Sequence, residues 1–303
     1  MSKYLAPIIL FVYNRIDHIQ KTISMLKNNT FSKNSELYIY SDGAKNENDQ
    51  VLIFNLRKYV KSINGFKNIT LIEREKNYGL AKNIIEGVSD IINEYGRVIV
   101  LEDDLLTSKN FISYMNQALD FYEEDKQVFS ISGYTGKLKS LENLTEDVYL
   151  SYRPSSWGWG TWKDQWDGID WDVTDFDEFI NNRQAVKKFN RGGIDMTRML
   201  KHCMQGKNHS WAIRWSYAMS KQDKYCIYPK VSKIQNIGFG EGATNCTGID
   251  IYKTDLDTTK KTDFKFVKGI DINEHIMKDF RHQFSYTNKI LKRIQNYFPV
   301  SSK

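Results

Sequence analysis

Apolar residues in the first half of the chain follow two alternating spacings. Short β-branched runs at residues 6–12, 37–41, 69–73 and 97–101 read as strands. Between and after them, residues 17–27, 50–63, 80–92 and 110–123 repeat their apolar positions near every 3.6 residues and read as helices. Val51, Leu52, Leu56, Tyr59, Val60 and Ile63 show this spacing. Strand and helix in alternation predict an α/β fold with a mostly parallel central sheet and right-handed crossovers. A further strand is expected at 128–132, ending at Gly133.

From about Tyr149 the pattern changes. Trp157, Trp159, Trp162, Trp166 and Trp171 crowd together, interleaved with or followed by Asp164, Asp167, Asp170, Asp172, Asp175 and Asp177. Helices are expected at 185–190, 196–205 and 211–221, a strand at 225–229 and a Gly-rich loop at 237–248. No Pro- or Ser-rich linker separates the halves. The expected layout is therefore a first half at 1–148, a Trp-rich second half of the same body at 149–268 and a helical tail at 269–303. In the tail, Ile272, Ile276, Phe280, Phe284, Ile290, Leu291, Ile294 and Phe298 fit one or two amphipathic helices. Their polar face carries Lys278, Arg281, Lys289, Lys292 and Arg293. Two readings are open for it: a helix held on anionic lipid, and a helix docked on the domain with a solvated basic face.

Composition narrows the classes. With 41% hydrophobic and 26% charged residues the chain is an ordinary globular mixture. No apolar run approaches the roughly 18 residues of a membrane span. The first apolar run is broken by Pro7, is followed by Asn14 and Arg15, and has no cleavage-site pattern, so it reads as a strand and not a signal peptide. Cys203, Cys226 and Cys246 are odd in number and lack metal-ligand spacing, which points to a reducing cytoplasm. The net charge of +6 does not by itself call for nucleic acid.

The chemistry concentrates at Glu102-Asp103-Asp104, directly after the fourth strand. Three adjacent carboxylates repel unless a cation or ligand compensates them. The carboxyl end of a strand is also where open α/β sheets bind ligands. The plainer alternative is that Asp104 caps a helix starting near Ser108, but a cap needs one carboxylate, not three. A carboxylate cluster without His or Cys suits Mg²⁺ or Mn²⁺ better than zinc. Neither a GxxxxGK[ST] loop nor a GxGxxG is present. Arg15, Asp42 and Asn77 follow the first three strands, so polar groups are expected to converge at one sheet edge. Each alone is weak: Asp42-Gly43 is a common turn and Arg15 an ordinary surface charge. The tryptophan block suggests stacking on sugar faces, with about two of its five rings reaching a ligand and the rest in the core.

At these residues the chain resembles a GT-A-type glycosyltransferase. The segment Glu102-Asp103-Asp104-Leu105 is similar to that of N-acetylglucosaminyltransferase I. The likeness is closer to bacterial glycosyltransferases of surface polysaccharide, capsule or lipopolysaccharide synthesis. It rests on Pro7-Ile8-Ile9-Leu10-Phe11-Val12-Tyr13-Asn14-Arg15, Ser41-Asp42-Gly43, Asn77-Tyr78-Gly79-Leu80 and Ser156-Trp157-Gly158-Trp159-Gly160-Thr161-Trp162. Ser210-Trp211-Ala212-Ile213-Arg214-Trp215 and Gln235-Asn236-Ile237-Gly238-Phe239 continue it, so that it covers roughly residues 6–248.

The resemblance implies an inverting hexosyltransferase that uses a UDP-linked sugar and Mn²⁺ or Mg²⁺. Arg15 and Asp42 would contact the base, Asn77 the base or diphosphate, Asp103 the ribose and Glu102 the donor sugar. Asp104 would ligate the metal. Trp157, Trp211 and Arg214 would complete the donor and acceptor site. The base of the N-acetylglucosaminyltransferase segment has no counterpart here, because Ala212-Ile213-Arg214 fill that gap. Glu241 is the first candidate for general base, followed by Asp164, Asp167 and His209. Asn245 stands near where relatives often carry His. The expected partners are a nucleotide-sugar donor and a glycan or lipid-linked glycan acceptor, with the enzyme cytoplasmic and peripheral at the inner membrane face.

Two other readings remain. A sugar-phosphate nucleotidyltransferase needs a Gly-rich basic loop after strand one, which Val12-Tyr13-Asn14-Arg15 does not provide; release of pyrophosphate rather than nucleoside diphosphate would identify it. A non-catalytic glycan-binding module would bind without metal and without Asp103 or Asp104.

Overall fold

A computed structural model describes residues 5–239, 252–269, 271–285 and 288. The strands are β1 (Ile8–Val12), β2 (Glu36–Ser41), β3 (Asn68–Glu73), β4 (Arg97–Glu102), β5 (Leu105–Thr107), β6 (Val128–Ser132), β7 (Val148–Ser151), β8 (Trp159–Trp162), β9 (Tyr225–Pro229) and β10 (Ile234–Asn236). The first four helices, α1 (Ile16–Lys27), α2 (Glu47–Val60), α3 (Leu80–Tyr95) and α4 (Phe111–Tyr122), lie where the 3.6-residue spacing places them. The largest boundary difference among them is at α2. It starts three residues early because the Asn46 side chain caps it, accepting from the Asp49 N–H at 3.0 Å. After them come α5 (Lys163–Trp166), α6 (Phe176–Asn181), α7 (Arg183–Phe189), α8 (Met196–Met204), α9 (Trp211–Lys221) and α10 (Glu274–Gln283).

Eight strands form one sheet in the order β3-β2-β1-β4-β8-β6-β9-β7. β3, β2, β1 and β4 are mutually parallel, and β6 is parallel to β9. β8 runs antiparallel between β4 and β6, and β7 antiparallel at the edge beside β9. The chain passes from its first half to its second inside β7, and both halves share this sheet.

The register positions the site. Phe11 pairs with Glu102 and Val12 with Ser41, so β1, β2 and β4 end on one line. The strand order reverses between β1 and β4, which opens a crevice there.

The centre of the tryptophan block proves to be a strand. All four residues of β8 are buried, and Trp159 packs at the centre of a cluster with Trp166, Trp211 and Trp215, at ring-centroid distances of 5.6, 5.4 and 4.4 Å. The aromatic run carries no clear alternation because both faces of this central strand are covered. Entry to β8 depends on Gly158. Its φ is +61°, and a Cβ there would lie 2.5 Å from Ile234 Cγ1.

A two-stranded sheet, β5 with β10, escapes sequence periodicity because each strand has only three residues. A second small core, with Val173, Phe179, Phe189, Met196, Leu200, Ile213 and Tyr217, holds α6, α7 and α8 against α9. α10 buries Ile276, Met277 and Phe280 on the domain, in line with the docked reading of this part of the tail. Lys289, Lys292 and Arg293 lie outside the described residues.

Candidate functional site

A cleft of about 1270 Å³ opens at the carboxyl ends of β1, β2 and β4. Arg15, Asp42, Asn77, Glu102, Asp103 and Asp104 all line it, as the strand-end reading expects. So do Trp157, Trp211, Arg214 and His209. The volume exceeds the roughly 300–1,000 Å³ of common small-molecule pockets. It has room for a nucleotide sugar and the end of an acceptor.

Arg15 follows β1 and reaches across the crevice to the residues after β4. Its guanidinium donates to Asp103 and, at 2.9 Å, to Asp104 Oδ2. Asp103 is almost fully buried, with its side chain 5% exposed, while that of Asp104 is 14% exposed at the rim. Burial first, and then the charges of Asp104 and Asp103, push the Glu102 carboxyl up to about 8. Burial likewise raises Asp103 to about 6, with Arg15 acting against it. Asp104 caps no helix. Asn110 stands at the α4 N-terminus, and the Asp104 carbonyl instead accepts from the Ile237 N–H at 2.9 Å. The short sheet of β5 and β10 thereby lays Asn236–Gly238 over the triplet. A Cβ at Gly238 would stand 2.0 Å from Asp104 Oδ2, so only glycine allows this approach.

The donor set fits a hard divalent cation. It is all carboxylate oxygen, open at the rim, and sets three adjacent carboxyl groups against one guanidinium. Among the described residues no three metal-ligating side chains converge. A cation at Asp104 would therefore complete its shell with water and substrate oxygens, as Mg²⁺ and Mn²⁺ do.

Asp42 does different work from that implied by the resemblance. Its Oδ1 accepts from the Gly43 and Tyr78 N–H groups at 2.9 and 2.8 Å. Its Oδ2 accepts from the Gly79 N–H and from Asn77 Nδ2 at 3.0 and 3.1 Å. A carboxylate has about four lone-pair positions, and all are taken. Asp42 fixes the 77–79 turn, and no acceptor is left on it for a base. Asn77 also donates to the Gly43 carbonyl at 2.7 Å. The ring of Tyr78 is held between Arg74 and Lys82, each 4.6 Å from its centroid.

Of the base candidates, the structure brings only His209 into the cleft among the described residues. Asp164 and Asp167 are on α5 and in the turn after it, outside the lining. They pair with Lys126 at 2.8 Å and Lys163 at 2.6 Å. Their misassignment has a simple cause: β8 turns the tryptophan block inward, and α5 carries both aspartates to the surface. Glu241 and Asn245 lie outside the described residues. Trp157 and Trp171 are the two rings of the block that reach the cleft, while Trp159, Trp162 and Trp166 are core. Trp211 is buried in the aromatic cluster and meets the cleft only at its edge. Arg214 donates to the Trp171 carbonyl at 2.8 Å and braces that wall.

Sequence reasoning missed Arg153, Tyr78, Lys207 and Asn208 as lining residues. Arg153 lies in the connection from β7 to β8, and because β7 is antiparallel the strand-end rule does not reach it. It is anchored by Asp195 at 2.8 Å.

An Arabidopsis thaliana alpha-1,3-mannosyl-glycoprotein 2-beta-N-acetylglucosaminyltransferase is 22% identical over 194 residues, which cover 60% of this chain and 43% of that protein. The chain thus spans less than half of that relative's length. Among solved structures, the mannosyltransferase PcManGT from Pyrobaculum calidifontis, in complex with GDP-Man and Mn²⁺, aligns with a TM-score of 0.40 and 9% identity. The alignment covers 73% of this chain and 70% of that one. S. aureus TarS (1-349) aligns with a TM-score of 0.32 and 15% identity over 51% of this chain and 47% of that one. The family model of glycosyl transferase family 2 matches residues 8–188, from β1 through α7. With more than half of its length matched, the chain belongs to glycosyl transferase family 2, and it has the GT-A arrangement of a mostly parallel sheet flanked by helices.

Proposed function

We propose that this enzyme is a metal-dependent inverting glycosyltransferase that moves a sugar from a UDP-linked donor to a glycan acceptor in surface polysaccharide synthesis. The observation that carries it is the acidic triplet at the end of β4, facing a deep cleft across the strand-order reversal from Arg15. Asp104 would hold the cation, which supplies Lewis-acid neutralisation of charge on the departing diphosphate. Arg15 binds Asp103 and Asp104 in the present arrangement and offers a guanidinium to a diphosphate placed between them. Glu102, whose carboxyl burial and the neighbouring acids push up in the cation-free site, lines the cleft and would hydrogen-bond a donor-sugar hydroxyl. The 77–79 turn, fixed by Asp42, would form the cleft wall against which the base lies. Trp157 and Trp171 offer flat faces to sugar rings. His209, which lines the cleft, would take the proton from the acceptor hydroxyl as it attacks the anomeric carbon. Glu241 is retained as a second candidate for that role.

The test is a thermal-shift screen of nucleoside diphosphates and their sugars with and without Mn²⁺, because a ligand specific for the fold raises its stability. Stabilisation by UDP that requires Mn²⁺ is expected in the wild type. In Asp104→Ala, transfer should be abolished while the unliganded melting curve stays cooperative. Full transfer activity in that variant would refute the cation role. Release of pyrophosphate would instead identify a nucleotidyltransferase.

A further inference from the structure

Between Asp195 and Asp223 the chain carries no Asp or Glu, but it contains Arg198, Lys201, Lys207, Arg214, Lys221, His202 and His209. This stretch is α8, the loop after it and α9. Arg198 and Lys201 are exposed and one turn apart, on the same face of α8. Lys207 and His209 are exposed on the loop and line the cleft, as does Met199 of α8. A positive strip therefore runs from the outer surface of α8 over the loop and into the cleft wall braced by Arg214.

Several of the acids around it are paired with cations. Asp195 accepts from Arg153 at 2.8 Å, Asp175 pairs with Lys221 at 2.7 Å, and Asp223 pairs with Arg191 and, at 3.4 Å, with Lys188. Glu86 on the cleft lining lies 3.6 Å from Lys82 and 3.8 Å from Arg74. Asp172, adjoining the residue that Arg214 holds, adds one negative charge to the wall. Lys201 and Lys207 have no carboxylate partner among the described residues. Two such lysines beside the cleft raise the local concentration of anions and steer them toward it.

We propose that this strip is the docking track for an anionic acceptor, a glycan bearing phosphate or carboxylate groups, whose end enters the cleft. The inference rests on the reading of that cleft as the transfer site. The strip bends from a convex surface into a concavity. A flexible chain can follow that path, and a flat bilayer cannot.

The experiment measures binding of fluorescein-labelled dextran sulfate by fluorescence anisotropy, with neutral dextran of equal length as reference. Lys201→Glu/Lys207→Glu is compared with Lys33→Glu/Lys58→Glu, which makes the same change in net charge at exposed positions elsewhere. The strip variant is expected to lose about tenfold or more in affinity, and the control less than about twofold, with binding that weakens as salt rises. Equal losses in the two variants, an unchanged strip variant, or equal binding of neutral dextran would overturn the proposal. So would capture of the protein by anionic phospholipid vesicles through the same two lysines without dextran sulfate binding. Stabilisation by UDP and Mn²⁺, measured on the same proteins, reports separately on fold and donor binding, so the acceptor track and the donor reading can fail independently. Should the Glu pair fail to fold, Lys201→Gln/Lys207→Gln makes the same comparison with a smaller charge change.

Discussion

At the scale of single residues, the acidic triplet carries the most consequence. Adjacent carboxylates in sequence become three groups with different environments: Glu102 half-buried and elevated, Asp103 buried against Arg15, and Asp104 at the rim. The elevation has a measurable sign. A carboxyl whose folded value of about 8 exceeds its ordinary 4.5 keeps a proton in the fold that the unfolded chain has already released. Between those values the folded state binds more protons, so stability declines as pH rises through that window. The thermal midpoint without divalent cation should therefore fall from about pH 5 to about pH 8, and Glu102→Gln should flatten that slope. An unchanged slope in the variant would place the titration elsewhere. Asp42 shows the limit of residue-level inference. The resemblance implies its contact with a nucleotide base, yet four local donors consume its oxygens. No motif reveals that a side chain's hydrogen-bonding capacity is already full.

At the scale of elements, the alternation of spacings was enough to place β1 to β4 and α1 to α4, because each carries an apolar face or run that only one period satisfies. It failed at β8, β7 and the pair β5–β10. β8 is buried on both sides and dominated by tryptophan, so its residues look like a binding patch when they are largely core. The distinction predicts a large cost: Trp159→Ala should destabilise the fold by about 3–5 kcal/mol. Trp157→Ala, at the cleft surface, should cost far less stability. Chemical denaturation of both variants measures the difference, and similar midpoints would contradict the assignment of Trp159 to the core. The short sheet of β5 and β10 has no period to detect, yet it delivers Gly238 to Asp104. Its existence depends on partners about 130 positions apart, which is tertiary information.

At the scale of the whole molecule, residues 252–269 are strapped across the domain. Lys233 and Asp257 form a buried pair with side chains 5% and 3% exposed, and Asn110 donates to the same carboxylate oxygen at 3.0 Å. Phe264 packs on Tyr114 at 5.3 Å, and the Tyr122 hydroxyl donates to the Val267 carbonyl at 3.0 Å. Removing one member of such a pair leaves a desolvated charge, so Lys233→Met should cost about 3–5 kcal/mol in denaturant unfolding. Lys233→Met/Asp257→Leu should recover part of it. Additive losses in the double variant would show that the two charges do not act as a pair.

Local spacing along the chain determined the parallel α/β core, the strand-end location of the chemistry and the hard-oxygen character of its donor set. These follow from periodicity and side-chain type, which act over a few residues. Tertiary structure alone decided which carboxylates face the cleft, since β8 turns inward and α5 carries Asp164 and Asp167 outward. It also decided that Arg15 compensates the triplet, that Asp42 is spent on a turn, and that the cations of α8 and its loop form one strip. Each of these depends on distances between segments far apart in sequence, and such distances are set when the sheet closes and its faces are covered.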